Sequence, residues 1–536
     1  MQTLDPRPID NRELDQTRTL IPPPDVEPTA APILVDPAHS VARNTLIMLV
    51  SQMITFAMTF IWTVAVQSGL GSATFGKLFW AQSLALTGGV FMDAGIATYL
   101  TKQVARDRAH STRYLSTAVL LRTVSTVLVY LAILGWAVAT GEHNDGESLL
   151  AVVLVGLAIV VASFTQACAA TFQGNENMLW QALGTIAEKV TVTALSVTLL
   201  VLGYGLPAVA AVMLIGAAMN LLLIGSRAIR LGWVRPQFDR RLAWQMIRGG
   251  APFFLWAAFG VIYQRNAAIQ LKALTDAHTD GLFGAAVRMY ETLSFVPYIF
   301  QAAVLPVLSR TFVNAADAMV RTSRRSLDLI VLAALPIGLG VVLLAPEIIA
   351  LVGGLPEYDG AVLPLRILGF SLVPLYADMI LATILVSVDK QKQWAFVSVG
   401  AALVNPLLNW WLIRQTQAMY GNGAIGSAFV TFLTELVIFF FYLALVPRGV
   451  LGASNLRFAA RAVVATLLMG AAIWLILPAL QSVVPGGPLA RGGAAVVLAG
   501  AGVLGAGVFG GAALLLRLVG RDELALVRKA LRRGAA

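Results

Sequence analysis

The sequence predicts an all-α membrane protein that crosses the bilayer fourteen times. Two observations support this: fourteen long apolar segments, and Lys and Arg residues that fall mainly in every second connection between them. Each segment has about 20 residues or more, enough for an α-helix to cross about 30 Å of hydrocarbon. A chain of 536 residues with 58% hydrophobic and 12% charged residues is also not a soluble globular protein. The predicted spans are 45–68, 78–100, 114–140, 147–171, 178–203, 206–226, 248–270, 281–308, 323–351, 361–388, 393–413, 422–447, 458–480 and 491–517.

The basic residues orient these spans. Connections after the second, sixth, eighth, tenth and twelfth spans are rich in Lys and Arg, and the opposite side carries only Lys77, Lys272, Arg414 and Arg491. Because basic loops are retained in the cytoplasm, both termini are predicted to be cytoplasmic. This topology also explains the net charge of +10, so no nucleic-acid partner is expected.

The two ends of the chain differ from the spans. Residues 1–44 contain eight prolines and seven acidic side chains, which predicts a disordered cytoplasmic tail. This segment lacks a basic region followed by an apolar core, so it is not a cleavable signal peptide. Residues 518–536 form a basic tail, interpreted either as a topology anchor or as a short helix on the lipid surface.

A weak internal repeat divides the first twelve spans into two sets of six. LFWA at 78–81 and LFGA at 282–285 begin the second and eighth spans, and Arg106 and Arg310 follow each Phe by 27 positions. Since six is even, both copies enter the membrane in the same direction, and their pseudo-twofold axis runs along the membrane normal. Two such lobes enclose a cavity that rocking exposes to either side. The predicted division is an N-terminal lobe at 45–226, a linker at 227–247, a C-terminal lobe at 248–447 and a two-helix extension at 448–517.

Ionisable residues inside the spans indicate transport. A charge at the bilayer centre costs on the order of 3 kcal/mol, so such residues usually face a partner or a water-filled cavity. Cations from both predicted lobes favour an anionic substrate, because the planar guanidinium group of arginine can donate two hydrogen bonds to phosphate oxygens. The candidate substrate-binding residues are Arg122, Lys189, Arg265 and Arg288. The acidic candidates for coupling to protons or sodium ions are Asp93, Glu188, Glu291, Asp378 and Glu435.

Sequence spacing predicts how two pairs of these charges are arranged. Arg288 and Glu291 are three residues apart and share a helix face. They are interpreted either as a structural ion pair or as a pair that opens when an anionic substrate competes for the arginine. Glu188 and Lys189 are adjacent, about 100° apart on a helix, so they are expected to point in different directions.

Three stretches of this chain resemble bacterial polysaccharide flippases of the Wzx type, members of the multidrug/oligosaccharidyl-lipid/polysaccharide (MOP) exporter superfamily. These stretches are 70–106, 335–392 and 420–435. Their most specific parts are Phe75, Gly76 and Asp93, the segment 346–365, and the segment 421–427. None of these is a catalytic motif.

This resemblance implies a multi-pass protein of the bacterial inner (plasma) membrane. Its expected activity is ion-coupled translocation of an undecaprenyl-pyrophosphate-linked oligosaccharide, a surface polysaccharide repeat unit such as that of O-antigen, to the outer leaflet. The expected partners are that lipid-linked oligosaccharide, membrane lipids, a polysaccharide polymerase and glycosyltransferases. No cofactor is expected apart from a coupling proton or sodium ion.

Other functions compete with a flippase of this type. A lipid II flippase is the first alternative, because those relatives also have fourteen spans, and a multidrug antiporter of the same architecture is the second. A membrane polymerase or ligase needs acid, base or nucleophilic groups at the outer face, usually on a sizeable loop. The chain has no HExxH, Walker A or GxSxG motif and a single cysteine, Cys168, so neither an enzyme nor a cysteine-based metal site is expected.

Overall fold

The computed structural model describes residues 37–233, 238–314, 316–447, 449–483 and 490–518. These residues form seventeen α-helices and three short 3-10 turns, with no strand among them. The helices are α1 (Pro37–Leu70), α2 (Ser72–Asp93), α3 (Ile96–Arg106), α4 (Ser111–Ala139), α5 (Gly146–Gly174), α6 (Leu179–Val201), α7 (Leu206–Arg230), α8 (Arg240–Leu274), α9 (Ala277–Leu293), α10 (Phe295–Asn314), α11 (Ala316–Leu343), α12 (Ala345–Val352), α13 (Val362–Ser387), α14 (Gln391–Tyr420), α15 (Gly423–Leu445), α16 (Ala453–Val483) and α17 (Arg491–Leu515).

The prediction of an all-α membrane protein is confirmed. Twelve of the described helices are long and apolar enough to cross a membrane: α1, α4 to α8, α11 and α13 to α17. The count of fourteen continuous spans is not confirmed, because the second, eighth and ninth predicted spans are each divided between two helices. Of the ninth, α11 alone is long and apolar enough to cross a membrane. Residues 1–36 of the predicted N-terminal tail, 519–536 of the predicted C-terminal tail and 234–237 of the predicted linker, together with Arg448, lie outside the described residues. Residues 37–44, predicted to belong to a disordered tail, form the start of α1 instead.

The second predicted span bends by 42° between α2 and α3. Ala94 and Gly95 adopt left-handed backbone conformations there, with φ of 47° and 73°, which interrupt the helix. The side chain of Asp93 then accepts a hydrogen bond from the backbone N–H of Ala97 at 3.0 Å, within the first turn of α3. Asp93 therefore joins the two halves of the bent span.

The eighth predicted span is interrupted at Ser294, between α9 and α10. Pro297 has no backbone N–H to donate to the carbonyl of Leu293, four residues earlier. The hydroxyl of Tyr376 on α13 donates to that carbonyl instead, at 2.6 Å. This interruption leaves α9 as a helix of 17 residues.

Helices α2 and α9 are in backbone contact near their N-termini. A Cβ added at Gly76 would lie 1.8 Å from the carbonyl oxygen of Ala277, and one at Gly281 would lie 1.9 Å from that of Ser72. The Ser72 hydroxyl also lies 2.6 Å from Nδ1 of His278. Only glycine permits such a close approach, and the predicted topology assigns this contact to the outer side of the membrane.

The last two helices pack against each other and against the preceding part of the chain. Helix α16 packs on α11, and α17 packs on α12. Near this interface the amide of Gln481 donates to the Glu347 carboxylate at 2.7 Å. The extension is therefore joined to the same helical body by apolar and polar contacts.

Candidate functional site

A cavity of about 280 Å³ is lined by residues of six helices: α1, α2, α5, α6, α7 and α9. Most of its wall is apolar, with Trp62, Leu86 and Ile159 among the larger side chains. Its ionisable lining residues are Glu188 and Lys189 on α6 and Arg288 on α9. An apolar pocket with a few convergent charged groups is typical of a ligand-binding site.

Small residues place the charged part of α6 against α7. A Cβ at Gly216 on α7 would lie 2.3 Å from a methyl group of Val192, so the two helices pack closely there. This packing brings Asn220 within reach of Glu188, whose Oε2 accepts from the Asn220 amide at 2.8 Å. Glu188 is therefore held from both sides, since Lys189 Nζ lies 3.3 Å from its other carboxylate oxygen.

The expectation that Glu188 and Lys189 point in different directions was wrong. Both residues line the cavity and their charged ends form an ion pair. Their Cα–Cβ bonds do diverge on the helix, but side chains of this length can bend back towards each other. The Lys189 side chain is 39% exposed, so its ammonium group remains accessible from the cavity.

Arg288 approaches the cavity from α9. Glu291 bridges two arginines, with its Oε1 2.9 Å from Arg265 and its Oε2 3.4 Å from Arg288. The predicted contact between Arg288 and Glu291 is therefore present. Arg288 also donates to the side-chain oxygen of Gln82 on α2, and its guanidinium lies 5.5 Å from the ring centre of Phe79.

This group of charges carries a net positive charge. Lys189, Arg265 and Arg288 outnumber the two carboxylates, Glu188 and Glu291, by one. The weakest of its ion pairs by distance involve Lys189 and Arg288, the two cations that line the cavity. An anion in the cavity would meet these two cations first.

Arg122 is placed differently from the other predicted substrate contacts. Its side chain is 0% exposed and forms an ion pair with Asp93. Its guanidinium also donates to the carbonyl of Ser163 on α5. Arg122 does not line the cavity, and Asp93 neutralises its charge within the helix packing. In this structure Asp93 and Arg122 hold the bent span α2–α3 against α4 and α5.

The remaining acidic candidates, Asp378 and Glu435, form a second buried cluster. They lie on α13 and α15, and are 4% and 5% exposed. Their carboxyl groups interact with each other, and the hydroxyl of Tyr263 on α8 donates to Glu435 Oε1 at 2.7 Å. Neither forms a salt bridge with a Lys or Arg in the described part of the chain. Such a pair can hold a proton or a small cation between its members.

Helix α9 connects the two groups of charges. Arg288 and Glu291 lie in the cavity cluster, and α9 also packs against α13 and α15, the helices that carry Asp378 and Glu435. Gln82, Asn220 and Tyr263 were not predicted from the sequence. Uncharged polar groups within apolar spans cost less to bury than charges do, so they stand out less in a sequence.

Comparison with known families identifies the chain. The model of the polysaccharide biosynthesis protein family matches residues 41–312, about half of the sequence. The chain belongs to this family. No curated protein sequence matches it.

Solved structures with a similar fold include a flippase and multidrug transporters. The lipid II flippase MurJ in an inward closed conformation superimposes with a TM-score of 0.65 at 14% identity, covering 89% of this chain and 99% of that one. An inward-facing multidrug resistance MATE family transporter of the MOP superfamily gives 0.60 at 15% identity, covering 75% and 97%. A mutant of the Vibrio cholerae MATE transporter VcmN gives 0.50 at 14%, covering 76% and 96%.

At these identities the likeness shows the fold. Together with the family match it confirms the predicted resemblance to flippases of the MOP superfamily. Among the described residues, no group of three or more His, Cys, Asp or Glu side chains is arranged to hold a metal ion.

Proposed function

We propose that this member of the polysaccharide biosynthesis protein family is a flippase for a polyprenyl-pyrophosphate-linked oligosaccharide. It moves the polar head group from the cytoplasmic to the outer leaflet of a bacterial plasma membrane, with both termini in the cytoplasm. The observation that carries the proposal is the cavity in which Lys189 on α6 and Arg288 on α9 converge. These helices belong to different predicted lobes, so an anion bound between them would bridge both.

The two cations suit a pyrophosphate. Arg288 can exchange its long contact with Glu291, 3.4 Å, for a shorter bidentate contact with phosphate oxygens. Lys189 supplies a second positive charge from α6. The apolar wall lowers the local dielectric constant and so strengthens both interactions. The polyprenyl tail remains in the lipid.

Translocation requires the cavity to change shape. Its volume of about 280 Å³ lies just below the usual range for ligand pockets, enough for a pyrophosphate but small for an oligosaccharide. The α2–α9 contact at Gly76 and Gly281 closes the predicted outer side. In an alternating-access cycle this contact opens and the cytoplasmic side closes.

An ion gradient drives the cycle in this proposal. Asp378 and Glu435 take up a proton or a sodium ion, and the packing of α9 against α13 and α15 transmits the change to Arg288 and Glu291 on α9. Coupling needs no more than a difference in affinity for the ion between the two conformations. A polymerase and glycosyltransferases of the same polysaccharide system are the proposed protein partners.

The test uses a bacterial strain whose surface polysaccharide depends on this protein. Single and double replacement of Lys189 and Arg288 with Ala is expected to abolish or strongly reduce surface glycan and to accumulate lipid-linked oligosaccharide inside. The matched control is Arg414→Gln, which removes a cation that stacks on Trp410 at 4.1 Å outside the cavity. Normal surface glycan in the double variant at wild-type protein levels would contradict the proposal.

A lipid II flippase is the second candidate, because the MurJ structure covers 89% of this chain against 75% for the MATE transporter. Expression in a strain depleted of its lipid II flippase separates the two. Restored growth would favour lipid II as the substrate. Altered drug sensitivity without loss of surface glycan would favour a multidrug antiporter.

A further inference from the structure

A second and larger cavity lies between α14 and α15. It has a volume of about 670 Å³, and its wall is mainly apolar, including Phe396 and Leu408 on α14 and Leu433 and Phe441 on α15. We call it the α14–α15 groove. None of its lining residues also lines the cavity with Lys189 and Arg288, so the proposed transport site does not account for it.

The groove lies where side chains rather than backbone contacts join these two helices. At the end where α14 leads into α15, a Cβ at Gly426 would lie 2.6 Å from the carbonyl oxygen of Leu412, so the backbones touch. Near the middle, the Asn405 amide donates to the Thr434 hydroxyl at 3.1 Å. Beyond this bond the long side chain of Tyr442 reaches Ser398 at 3.0 Å, and Phe396 and Phe441 line the groove.

The depth of the groove matches one membrane leaflet. Phe396 and Leu408 are twelve residues apart on α14, as are Leu433 and Leu445 on α15, and each interval rises about 18 Å. One leaflet supplies about half of the roughly 30 Å of hydrocarbon. The apolar part of the groove therefore has the length of a single lipid chain.

A positive charge lies at the mouth of the groove. Lys392 lines it one helical turn before Phe396, about 6 Å further towards the surface. Lys390 is already engaged, since its ammonium donates to the carbonyl of Leu445 at 2.6 Å. Lys392 makes no hydrogen bond or ion pair within the described part of the chain. It lies at the level where the phosphate of a lipid with its chain in the groove would be.

We propose that the α14–α15 groove binds an anionic phospholipid of the cytoplasmic leaflet, with one acyl chain between the helices and its phosphate at Lys392. The basic connection that contains Lys390 and Lys392 assigns this end of the groove to the cytoplasm. Charge complementarity at the mouth distinguishes an anionic lipid from a zwitterionic one. The occupant is a resident lipid, because the tail of a head group bound at Lys189 would enter the membrane beside other helices.

The test measures lipid binding and needs no transport substrate. Purified, delipidated full-length protein in detergent is titrated with phosphatidylglycerol or with phosphatidylcholine of identical chains, and bound lipid is counted by native mass spectrometry. Wild type is expected to retain phosphatidylglycerol about fivefold better than phosphatidylcholine. Lys392→Gln is expected to remove that preference, and Arg414→Gln, at the far end of α14, to preserve it.

A second variant tests the groove itself. A Cβ at Gly400 meets nothing within 4 Å, so Gly400→Trp can fill the groove without a clash in the folded protein. It is expected to reduce retention of both lipids, whereas Gly135→Trp, at an equally open position on α4, is expected to leave both unchanged.

Two results would overturn the proposal. One is equal retention of the two lipids by wild type, or a preference that survives Lys392→Gln. The other is displacement of phosphatidylglycerol by a polyprenyl pyrophosphate in wild type but not in Gly400→Trp, which would make the groove a site for the substrate tail. Neither result depends on whether Lys189 and Arg288 bind a pyrophosphate.

Discussion

Arg122 and Arg288 are both arginines deep within predicted spans, yet the structure uses them differently. Arg122 is 0% exposed, with Asp93 and the carbonyl of Ser163 as partners. Arg288 is 16% exposed and lines a cavity, sharing the Glu291 carboxylate with Arg265. The depth of a cation in a span shows that it needs a partner. Whether the partner leaves it free for a ligand depends on the tertiary structure.

The largest expected effect on stability comes from breaking the ion pair between Asp93 and Arg122. Asp93→Asn keeps the shape of the side chain and an acceptor for the Ala97 N–H, but leaves the fully buried Arg122 without a counter-charge. Removing one partner of a buried pair costs about 3–5 kcal/mol. The free energy of unfolding in detergent, or the Tm, measures this loss.

A compensating variant shows whether the pair is purely structural. Asp93→Asn combined with Arg122→Met removes both charges and is expected to recover most of the lost stability, because no unpaired charge remains. If the double variant is stable but inactive in export, Asp93 and Arg122 have a role in transport as well.

The next largest effect is expected from a change at the backbone contact between α2 and α9, on the predicted outer side of the membrane. Gly281→Ala places a Cβ where the carbonyl of Ser72 lies 1.9 Å away, so α2 and α9 must separate. We expect a cysteine at position 82, introduced as Gln82→Cys, to react faster with an impermeant thiol reagent added from outside. Gly135→Ala is the control, because a Cβ there meets nothing within 4 Å. Equal labelling rates would show that this contact does not close the outer side.

Glu291→Gln makes the same carboxylate-to-amide change as Asp93→Asn, but in the cluster of charges beside the cavity, and its expected outcome is different. It releases Arg265 and Arg288 from their shared partner and increases the positive charge beside the cavity. Affinity for a pyrophosphate-containing head group is expected to rise several-fold, with a smaller loss of stability than in Asp93→Asn. Weaker binding would indicate that Glu291 is needed to orient Arg288.

The smallest effect is expected at an exposed pair. Arg113 donates to Asp239, which also caps α8 through the backbone N–H groups of Arg241 and Leu242. The hydrogen bond from Arg113 lowers the pKa of Asp239. Asp239→Asn is expected to lower the Tm only slightly, because exposed ion pairs contribute little. Because folding lowers the pKa of Asp239, the stabilisation by its carboxylate is fully present at pH values above the unfolded pKa of about 3.9. This stabilisation is lost as the pH falls below that value.

The sequence predicted features that depend on length and periodicity. Apolar segments of about 20 residues located eleven of the helices as single elements, and i to i+3 spacing predicted the contact between Arg288 and Glu291. The interruption at Ser294 lies three residues before Pro297, and the acceptor that this proline leaves is satisfied by Tyr376 on a distant helix. Pro252 and Pro374, in contrast, lie inside unbroken helices. Proline alone did not reveal how the helix would continue.

Contacts between helices that are distant in the chain could not be predicted from the sequence. Nothing in the spacing links Asp93 to Arg122, 29 residues away, so Arg122 was predicted to bind substrate. Gln82 reaches Arg288 across 206 residues and carries no charge to mark it. The two cavity cations, Lys189 and Arg288, were identified by their depth, but their convergence depends on the packing of α6 and α9 around one space.

The most direct measurement of the central claim is binding of a short-chain prenyl-pyrophosphate-linked sugar to the purified protein by calorimetry, compared with the same lipid-linked sugar without phosphates. Lys189→Ala combined with Arg288→Ala is expected to weaken binding of the pyrophosphate compound by roughly tenfold to a hundredfold. The Asp93→Asn and Arg122→Met double variant is expected to bind it like wild type. Equal affinity of wild type and the Lys189 and Arg288 double variant, or for the two compounds, would contradict a phosphate-binding cavity.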